Sequence, residues 1–432
     1  MFTLIIFLIV LGLLVFVHEA GHFLSARKFG IFCDEFGFGF PPRIVGFQRI
    51  KKGQLQKIVG EKEVGENTDQ AVTDEGEPIK EHTVVAVAAE IDKLNIKPGW
   101  RIIWGSRELT DEDKKFNTVY SLNWIPLGGF VKIKGEQGND KDQQDSFGSR
   151  PAWKRAVVLA AGVLMNIVLA YVLLTGSMIS GMPQQVENGQ GMPFTDHRIQ
   201  ILEVSAGSTA EKSKILLGDV IQNIDGKTFS NTGELQDYVA DKSGKELTYN
   251  ILRGKDKLVI KITPTVLAAT GKGGIGITIA DVGTVKYPWY KALVEGFKAT
   301  FILLWAILVG LYGLLHSILK GVSIGAQVAG PVGIATMTGQ MANMGWVYLV
   351  QFTAMLSLNL AVINILPIPA LDGGRLLFLL IEKLRGKPMN EKLEASLNNV
   401  FFLLLLLLVV FITYKDVVNL GCLTCKLGSF FK

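Results

Sequence analysis

A long apolar segment that runs directly into a metal-binding pattern constrains this sequence more than any other feature. Residues 2–17 are almost entirely apolar, residues 18–22 read His-Glu-Ala-Gly-His, and Arg27 and Lys28 follow. An apolar run of this length with a basic flank predicts a membrane-spanning helix. Ionisable groups inside such a helix are costly to keep, so they are candidates for a functional role.

The two histidines of this pattern have the spacing of metal ligands on a helix. His18 and His22 are four residues apart, so they lie on one helical face with about 5–6 Å between their Cβ atoms. This spacing lets two imidazoles bind one zinc ion, and Glu19 beside them can serve as the general base in metal-assisted hydrolysis. The competing interpretation is a signal peptide with a chance match at its border. The absence of a small-residue cleavage site before the motif favours the metal site.

Composition indicates a membrane protein that also carries soluble modules. Of the 432 residues, 49% are hydrophobic and 19% are charged, which is too apolar for an ordinary soluble protein. The net charge of +5 is small. The sequence has no long basic patch with interleaved aromatic residues, so nucleic acid is not the expected partner. The three cysteines do not make a disulfide framework. Cys422 and Cys425 form a CxxC pair, which we interpret as a coincidence of the tail rather than a metal or redox pair.

A second polar cluster in an apolar setting supplies a candidate third ligand. Zinc bound by two histidines needs a third protein ligand and an open position. Residues 359–374 contain two prolines and two glycines, which interrupt a helix and permit close backbone approach. Asp372 is the only acidic residue between Glu295 and Glu382. A lone carboxylate in such a setting needs a cation partner, so Asp372 is the candidate.

The distribution of basic residues predicts the side of the membrane that each segment faces. No acidic residue occurs between Phe36 and Gly60, a stretch with several lysines and arginines. This excess places the stretch in the cytoplasm and the N-terminus outside. A second predicted span, residues 156–179, contains Gly162 among other small residues that suit close helix packing.

Three later apolar segments are candidate spans: residues 297–319, 346–366 and 400–413. If the first two both crossed from the outside, Asp372 would emerge outside, away from the depth of His22. We therefore expect residues 297–319 to lie along the membrane surface, or to dip in and return. This leaves four spanning helices and an external C-terminus.

Two soluble stretches have patterns of their own. Residues 197–266 alternate predicted strands and short helices in an order that resembles a bacterial PDZ domain, which binds an extended peptide or a free C-terminus by strand addition. The alternative is a small αβ spacer. Gly128 and Gly129 lie in a strand-like stretch, where a glycine pair lets another backbone come close. A free strand edge there, or an ordinary hairpin turn, fits this local sequence equally well.

Together the two metal-site motifs resemble the site-2 protease family. The motifs are His18-Glu19-x-x-His22 and Asn364-x-x-Pro367-x-Pro369-x-Leu371-Asp372-Gly373. With one external PDZ domain before the Asp372 helix, the arrangement is similar to the bacterial RIP metalloproteases that act on anti-sigma factors. The resemblance implies zinc ligands His18, His22 and Asp372, a catalytic base Glu19, substrate-backbone contacts from Asn359 and Asn364, and a membrane-associated, substrate-clamping β-hairpin at 125–133 that includes Gly128 and Gly129.

The expected architecture is an α-helical polytopic membrane protein with about four transmembrane helices, an inserted extracytoplasmic α+β PDZ domain and a membrane-associated β-hairpin. The expected segments are 1–30, the first transmembrane helix; 31–150, the cytoplasmic-side β-hairpin region with a polar insertion at about 45–118 that departs from the shorter family loop; 151–182, the second transmembrane helix; 195–268, the PDZ domain; 269–345, a membrane-associated linker; and 346–432, the helices with the Leu-Asp-Gly motif and the last transmembrane helix.

The expected function is that of a Zn²⁺-dependent intramembrane protease of the inner, cytoplasmic membrane. Its partners would be the lipid bilayer, single-pass membrane protein substrates such as anti-sigma factors or signal-peptide remnants, and a peptide or C-terminus at the PDZ domain. A non-catalytic PDZ scaffold is the alternative, and a zinc transporter is a third reading. Glu19 argues against the scaffold, because a structural zinc does not need a base. A transporter usually carries more intramembrane ligands.

Overall fold

The computed structural model describes residues 2–50, 99–107, 109–110, 113, 116–136, 143–185, 195–205, 207–254, 256–266, 271–321, 329–387 and 389–428. These residues form two compact units. The histidine unit comprises the described residues of 8–165 and 364–401. The six-stranded unit comprises those of 1–7, 166–363 and 402–432. His18, His22 and Asp372 all belong to the histidine unit.

Helices make up most of the described chain. Their bounds are α1 Phe2–Lys28, α2 Ala152–Ser180, α3 Thr209–Lys212, α4 Thr232–Ala240, α5 Trp289–Leu319, α6 Pro331–Met344, α7 Trp346–Ile365, α8 Asp372–Arg385 and α9 Glu391–Gly428. Helix α1 is continuous from its apolar run through the His-Glu-x-x-His pattern, since nothing in this stretch breaks an α-helix. The pair Cys422 and Cys425 lies in the part of α9 whose side chains the structure does not describe.

Five of the described helices are long and apolar enough to cross a membrane. They are α1, α2, α5, α7 and residues Lys392–Val418 of α9. Residues 297–319, predicted to lie on the membrane surface, belong to the 31-residue helix α5. Because this criterion uses only length and composition, the surface placement of 297–319 and the count of four spans stay predictions.

The sheet of the histidine unit has the strand order β2–β1–β3, with β1 at Cys33–Ile50, β2 at Gly99–Trp104 and β3 at Val119–Ile133. Strand β1 pairs with two parts of β3: Val45 lies opposite Leu122, and Phe36 lies opposite Val131. Buried Phe23, Ile31, Cys33, Ile133 and Val158 form the core between this sheet and the helices. The sheet is thereby packed directly beside the helix that carries the histidines.

The predicted insertion at about 45–118 is partly ordered into this sheet. Its first residues continue β1, and Gly99–Trp104 forms β2, which pairs back on β1 from Val45↔Trp104 to Ile50↔Gly99. Residues 51–98 of the insertion lie outside the described residues. The insertion therefore adds a strand to the sheet at the place where the sequence predicts a turn entering a strand, residues 96–103.

The second sheet has the order β4–β11–β5–β6–β7–β8 and gives the six-stranded unit its name. Alternation explains its strands: Leu247, Tyr249 and Ile251 of β7 are buried and the residues between them are more exposed, as a strand with one covered face requires. These strands are β4 Met182–Gln185, β5 Thr195–Val204, β6 Val220–Ile224, β7 Leu247–Arg253, β8 Asp256–Ile262 and β11 Ile277–Val285, with the short pair β9 Thr265–Val266 and β10 Gly273–Gly274 beside them.

The strand and helix order predicted for residues 197–266 agrees with β5, α3, β6, α4, β7 and β8. The sheet nevertheless extends past the expected limits of 195–268 at both ends. Strand β4 precedes them, and β11, from the stretch expected to be a linker, pairs with both β4 and β5. The partners Ile277 and Val204 are far apart in the chain, so no local pattern announces their pairing.

Candidate metal centre

Helix α1 presents its two histidines on one buried face. His18 and His22 are each 6% exposed, and their ring centroids are 4.9 Å apart. Their Nε2 atoms lie 3.3 Å from one another. The i, i+4 spacing predicted from the sequence therefore becomes a pair of convergent nitrogen donors.

Asp372 completes the group from the start of another helix. It is the first residue of α8, and its Oδ2 lies 2.9 Å from Nε2 of His18 and 3.3 Å from Nε2 of His22. Within the described part of the chain, these three residues are the group of His, Cys, Asp or Glu side chains that could hold a metal ion. The three donor atoms thus form a triangle with edges of 2.9, 3.3 and 3.3 Å.

The size and chemistry of this donor triangle fit zinc. Zinc bonds to imidazole nitrogen and carboxylate oxygen are about 2.0–2.1 Å long, so two ligands of a tetrahedral ion are about 3.3 Å apart. The observed edges of 2.9–3.3 Å match one face of such a tetrahedron. Two histidines and one carboxylate are also a donor set of known catalytic zinc sites.

A backbone carbonyl orients one of the two imidazoles. Nδ1 of His22 lies 2.8 Å from the carbonyl oxygen of Val158 in α2. A carbonyl only accepts hydrogen bonds, so Nδ1 carries a proton, and in the neutral imidazole Nε2 then has the lone pair that a metal ion needs. A hydrogen bond of this kind fixes the tautomer and ring orientation of a metal-binding histidine.

Gly162 makes room for both imidazoles. A Cβ atom at this position of α2 would lie 2.4 Å from Nε2 of His22 and 2.7 Å from Cε1 of His18. Gly21 of α1 packs in the same way, since a Cβ there would lie 2.4 Å from the carbonyl oxygen of Ala161. The sequence marked Gly162 as a helix-packing residue, and the structure places it against the two histidine rings.

Glu19 lies at the edge of the triangle. Its side chain is half-buried and is close enough to His18, His22 and Asp372 to interact with them electrostatically. Glu136, which follows β3, interacts with Glu19 as well. The role of Glu19 as the general base stays a prediction.

The two predicted substrate-binding asparagines have different locations. Nδ2 of Asn364 lies 3.3 Å from Nε2 of His18, so this side chain borders the donor triangle. Asn359 is half-buried on the preceding part of α7, which belongs to the six-stranded unit. The role of both residues toward a substrate backbone stays a prediction.

The glycine pair of β3 packs against helix α1. A Cβ atom on Gly128 would lie 2.6 Å from Cβ of Val15, and its φ of +109° is one that L side chains rarely adopt. A Cβ atom on Gly129 would lie 2.8 Å from the carbonyl oxygen of Gly37 and 3.6 Å from Cα of Phe16. The pair therefore brings β3 against α1 about one turn before His18, and its contact with substrate stays a prediction.

Two ion pairs hold α8, and the sequence analysis missed both. Arg375, one turn after Asp372, pairs with Glu136. Arg155 of α2 pairs with Glu382, with Nη2 and Oε1 2.8 Å apart. Nothing local in the sequence says which of these charged residues pair, because the partners lie far apart in the chain.

Comparisons with known proteins show which family this chain resembles. The pattern of Peptidase family M50 matches residues 6–59 and 82–408. The regulator of sigma-W protease RasP of Bacillus subtilis is 31% identical over 97% of this chain and 99% of its own length. The zinc metalloprotease RasP of Bacillus licheniformis is 30% identical over 97% of this chain and 99% of its own.

A solved structure, the PDZ domain of the SdrC-like protein of Listeria monocytogenes, is 28% identical over 20% of this chain and 93% of that chain, with a TM-score of 0.19.

The family match covers most of the chain, including both metal-site motifs. It confirms the resemblance that His18, Glu19, His22 and Asp372 indicated. The chain belongs to Peptidase family M50, the family of the site-2 proteases.

Proposed function

We propose that this protein is an intramembrane zinc metalloendopeptidase that hydrolyses peptide bonds within or near the transmembrane segments of single-pass membrane proteins. The donor triangle of His18, His22 and Asp372, with Glu19 beside it, carries this proposal. His18, Glu19 and His22 lie on an apolar helix that is long enough to span a membrane, which supports a reaction in the bilayer. Membership of a peptidase family supports peptide hydrolysis.

In the proposed reaction, His18 and His22 bind zinc through Nε2 and Asp372 binds it through a carboxylate oxygen. A zinc ion bound there supplies Lewis acidity toward the scissile carbonyl and makes water a stronger acid. Glu19 takes a proton from the attacking water and returns it to the nitrogen of the leaving amine. The hydrogen bond from Nδ1 of His22 to Val158 keeps that imidazole in the tautomer that leaves Nε2 free.

The substrate must lose helical structure before it is cut. A helix hides its peptide groups in its own hydrogen bonds, and unpaired backbone groups in lipid cost several kcal/mol each. The part of β3 from Gly129 to Ile133 pairs with β1 on one side, and no described strand pairs with its other edge. We propose that this edge, with the amides of Asn359 and Asn364, binds the extended backbone.

The relatives and the predicted topology support a proposal for the substrate class. The Bacillus subtilis relative is named a regulator of sigma-W protease, which supports an anti-sigma factor as substrate here, with signal-peptide remnants as a second class. We propose that the sheet domain of residues 195–285 is an extracytoplasmic PDZ domain that screens substrates by binding a peptide or C-terminus. The membrane would be the inner, cytoplasmic one.

Cleavage of a model single-pass substrate by purified full-length protein tests the proposal. Wild type should cut within the transmembrane segment, whereas Glu19→Gln should bind zinc equally well and not cut. Glu246→Gln, an exposed carboxylate of the sheet domain, is the matched control and should cut like wild type. If wild type and Glu19→Gln hold zinc and neither cuts any of several single-pass substrates, the non-catalytic scaffold is favoured instead.

A further inference from the structure

The loop between α7 and α8 carries a strained residue next to the metal centre. Ala370, two residues before Asp372, has a φ of +74°. This left-handed conformation is unfavourable for a residue with a Cβ atom. Within the loop, the N–H of Ile368 donates to the carbonyl oxygen of Leu366 and the N–H of Leu371 donates to that of Ile368, so the N–H of Ala370 is left without a described backbone partner. A hydrogen bond to this N–H must therefore come from outside the loop.

Asn398 of helix α9 makes that contact. Its Oδ1 accepts a hydrogen bond from the backbone N–H of Ala370, with 3.0 Å between the two atoms. Asn398 is half-buried, whereas the next residue, Asn399, is exposed. Two identical side chains in adjacent positions thus differ in whether they reach the loop.

The loop and the first turn of α8 are packed so closely that a shift of one moves the other. A Cβ atom on Gly373 would lie 2.2 Å from the carbonyl oxygen of Leu366, and one on Gly374 would lie 2.3 Å from that of Ile368. The N–H of Gly374 also donates to the carbonyl oxygen of Leu371, at 3.1 Å. The conformation of the loop therefore decides where α8 begins and where Asp372 points.

We propose that Asn398 is a positioning residue for the metal centre. By holding Ala370 in the left-handed conformation, it keeps the carboxylate of Asp372 within the 2.9–3.3 Å triangle with the two histidines. This inference rests on the proposed role of Asp372 as a zinc ligand. The inference gives helix α9 a role in the metal centre, although Asn398 lies outside both metal-site motifs.

Zinc affinity of the full-length, detergent-solubilised protein, measured by competition with a chelator, tests the role of Asn398. Asn398→Ala should weaken zinc binding about tenfold, at the lower end of the 10–100-fold that partners behind the ligands contribute. Asn398→Asp keeps an oxygen that accepts from Ala370 and should stay within about twofold of wild type. Asn399→Ala is the matched control and should not change the affinity.

Glycine at position 370 separates positioning from general packing. Glycine adopts a positive φ without strain, so Ala370→Gly in the Asn398→Ala background should recover most of the lost zinc affinity. Packing lost at position 398 would not be restored from position 370. Thermal unfolding of the zinc-free proteins shows whether each variant is folded, and the Asn398→Asp and Ala370→Gly variants keep the test decisive if Asn398→Ala does not fold.

The outcomes also separate this inference from the proposed function. Wild-type affinity in Asn398→Ala, an equal loss in Asn399→Ala, or no recovery with Ala370→Gly would each overturn the positioning role. Asp372→Asn is measured in parallel. If it binds zinc as tightly as wild type, the proposed ligand set is wrong. If it binds weakly while Asn398→Ala binds normally, the ligand set stands and only the role of Asn398 is wrong.

Discussion

The two sides of the metal centre are built in different ways. On one side, His18 and His22 stand one turn apart on the regular helix α1, so their spacing is a property of any α-helix. On the other side, Asp372 is delivered by an irregular loop with a left-handed alanine and is held through contacts from residues distant in the chain. The spacing of the histidine pair needs only a helix, whereas the position of Asp372 needs much of the fold of the histidine unit.

This difference teaches where the centre is sensitive to substitution. Changes near the histidines act through the space around the rings, because α1 itself supplies their geometry. Changes on the side of Asp372 act through positioning, because its carboxylate has no local element that fixes it.

Removal of a ligand from the helical side should have the largest effect. His22→Ala deletes one donor of the triangle and frees the carbonyl of Val158, so we expect zinc affinity to fall by more than about 100-fold, beyond the 10–100-fold typical of partners behind the ligands. Chelator competition measures the affinity. His197→Ala, at a histidine of the sheet domain that pairs with Asp281, should leave it unchanged, and a similar loss in both variants would contradict the assignment.

Loss of space around the rings should have the next largest effect. Gly162→Ala places a methyl group 2.4 Å from Nε2 of His22, so an imidazole or α2 must move. Overpacking of this kind costs about 1–3 kcal/mol, and we expect roughly tenfold weaker zinc binding or more. Gly176→Ala in the same helix is the control, since a Cβ there has no described neighbour within 4 Å. Equal behaviour of the two variants would show that Gly162 is ordinary.

The ion pair of Arg375 and Glu136 tests the other side of the comparison. Arg375→Met or Glu136→Gln should lower the free energy of unfolding by about 1.5–3 kcal/mol, as for a hydrogen bond to a charged group, and should weaken zinc binding. The exchanged pair, Arg375→Glu with Glu136→Arg, should recover part of the loss. Lys261→Met is the control. It removes an exposed ion pair, with 3.6 Å between Nζ of Lys261 and Oε2 of Glu246, and should lower the free energy of unfolding by about 0–1 kcal/mol. No recovery in the exchanged pair would mean that the contact does not hold α8.

The stability of the sheet in the histidine unit should depend on pH through Asp113. This dependence distinguishes a loss of folding stability from a loss of zinc binding. Burial alone would raise the pKa of Asp113, but hydrogen bonds from Arg107 and Thr110, together with the Arg101 charge, outweigh it and lower that pKa to about 2. A carboxyl whose pKa is lower folded than unfolded stabilises the fold above the unfolded pKa of about 3.9 and loses this contribution as the pH falls toward 2.

Asp113→Asn should therefore be less stable than wild type at pH 7, and the difference in unfolding free energy should shrink between about pH 4 and 2. Denaturant unfolding of the zinc-free protein at several pH values measures it. Zinc affinity at pH 7 should change little, because Asp113 contacts the loop after β2 and none of the described ligands. A constant stability difference across this range would contradict the low pKa.

Sequence reasoning identified the three residues of the donor triangle but not the residues that support them. His18, His22 and Asp372 could be named because helical spacing and the rarity of charge in apolar segments are visible in the sequence. Gly162 looked like any small residue of a packed helix, and Asn398 looked like its neighbour Asn399. Strands β4 and β11 were missed because β4 has only four residues and β11 does not bury alternate residues regularly, so neither has a clear strand pattern.

The sequence by itself determined the apolar helices, the convergent histidine pair and the chemistry that a lone aspartate offers to a metal. These follow from helical geometry and from the free energy of transferring side chains out of water, both of which act on near neighbours in the chain. Only the tertiary structure decided that Asp372 meets His18 at 2.9 Å across 354 residues of chain. That distance depends on packing contacts and hydrogen bonds between remote segments, which exist only once the chain has folded.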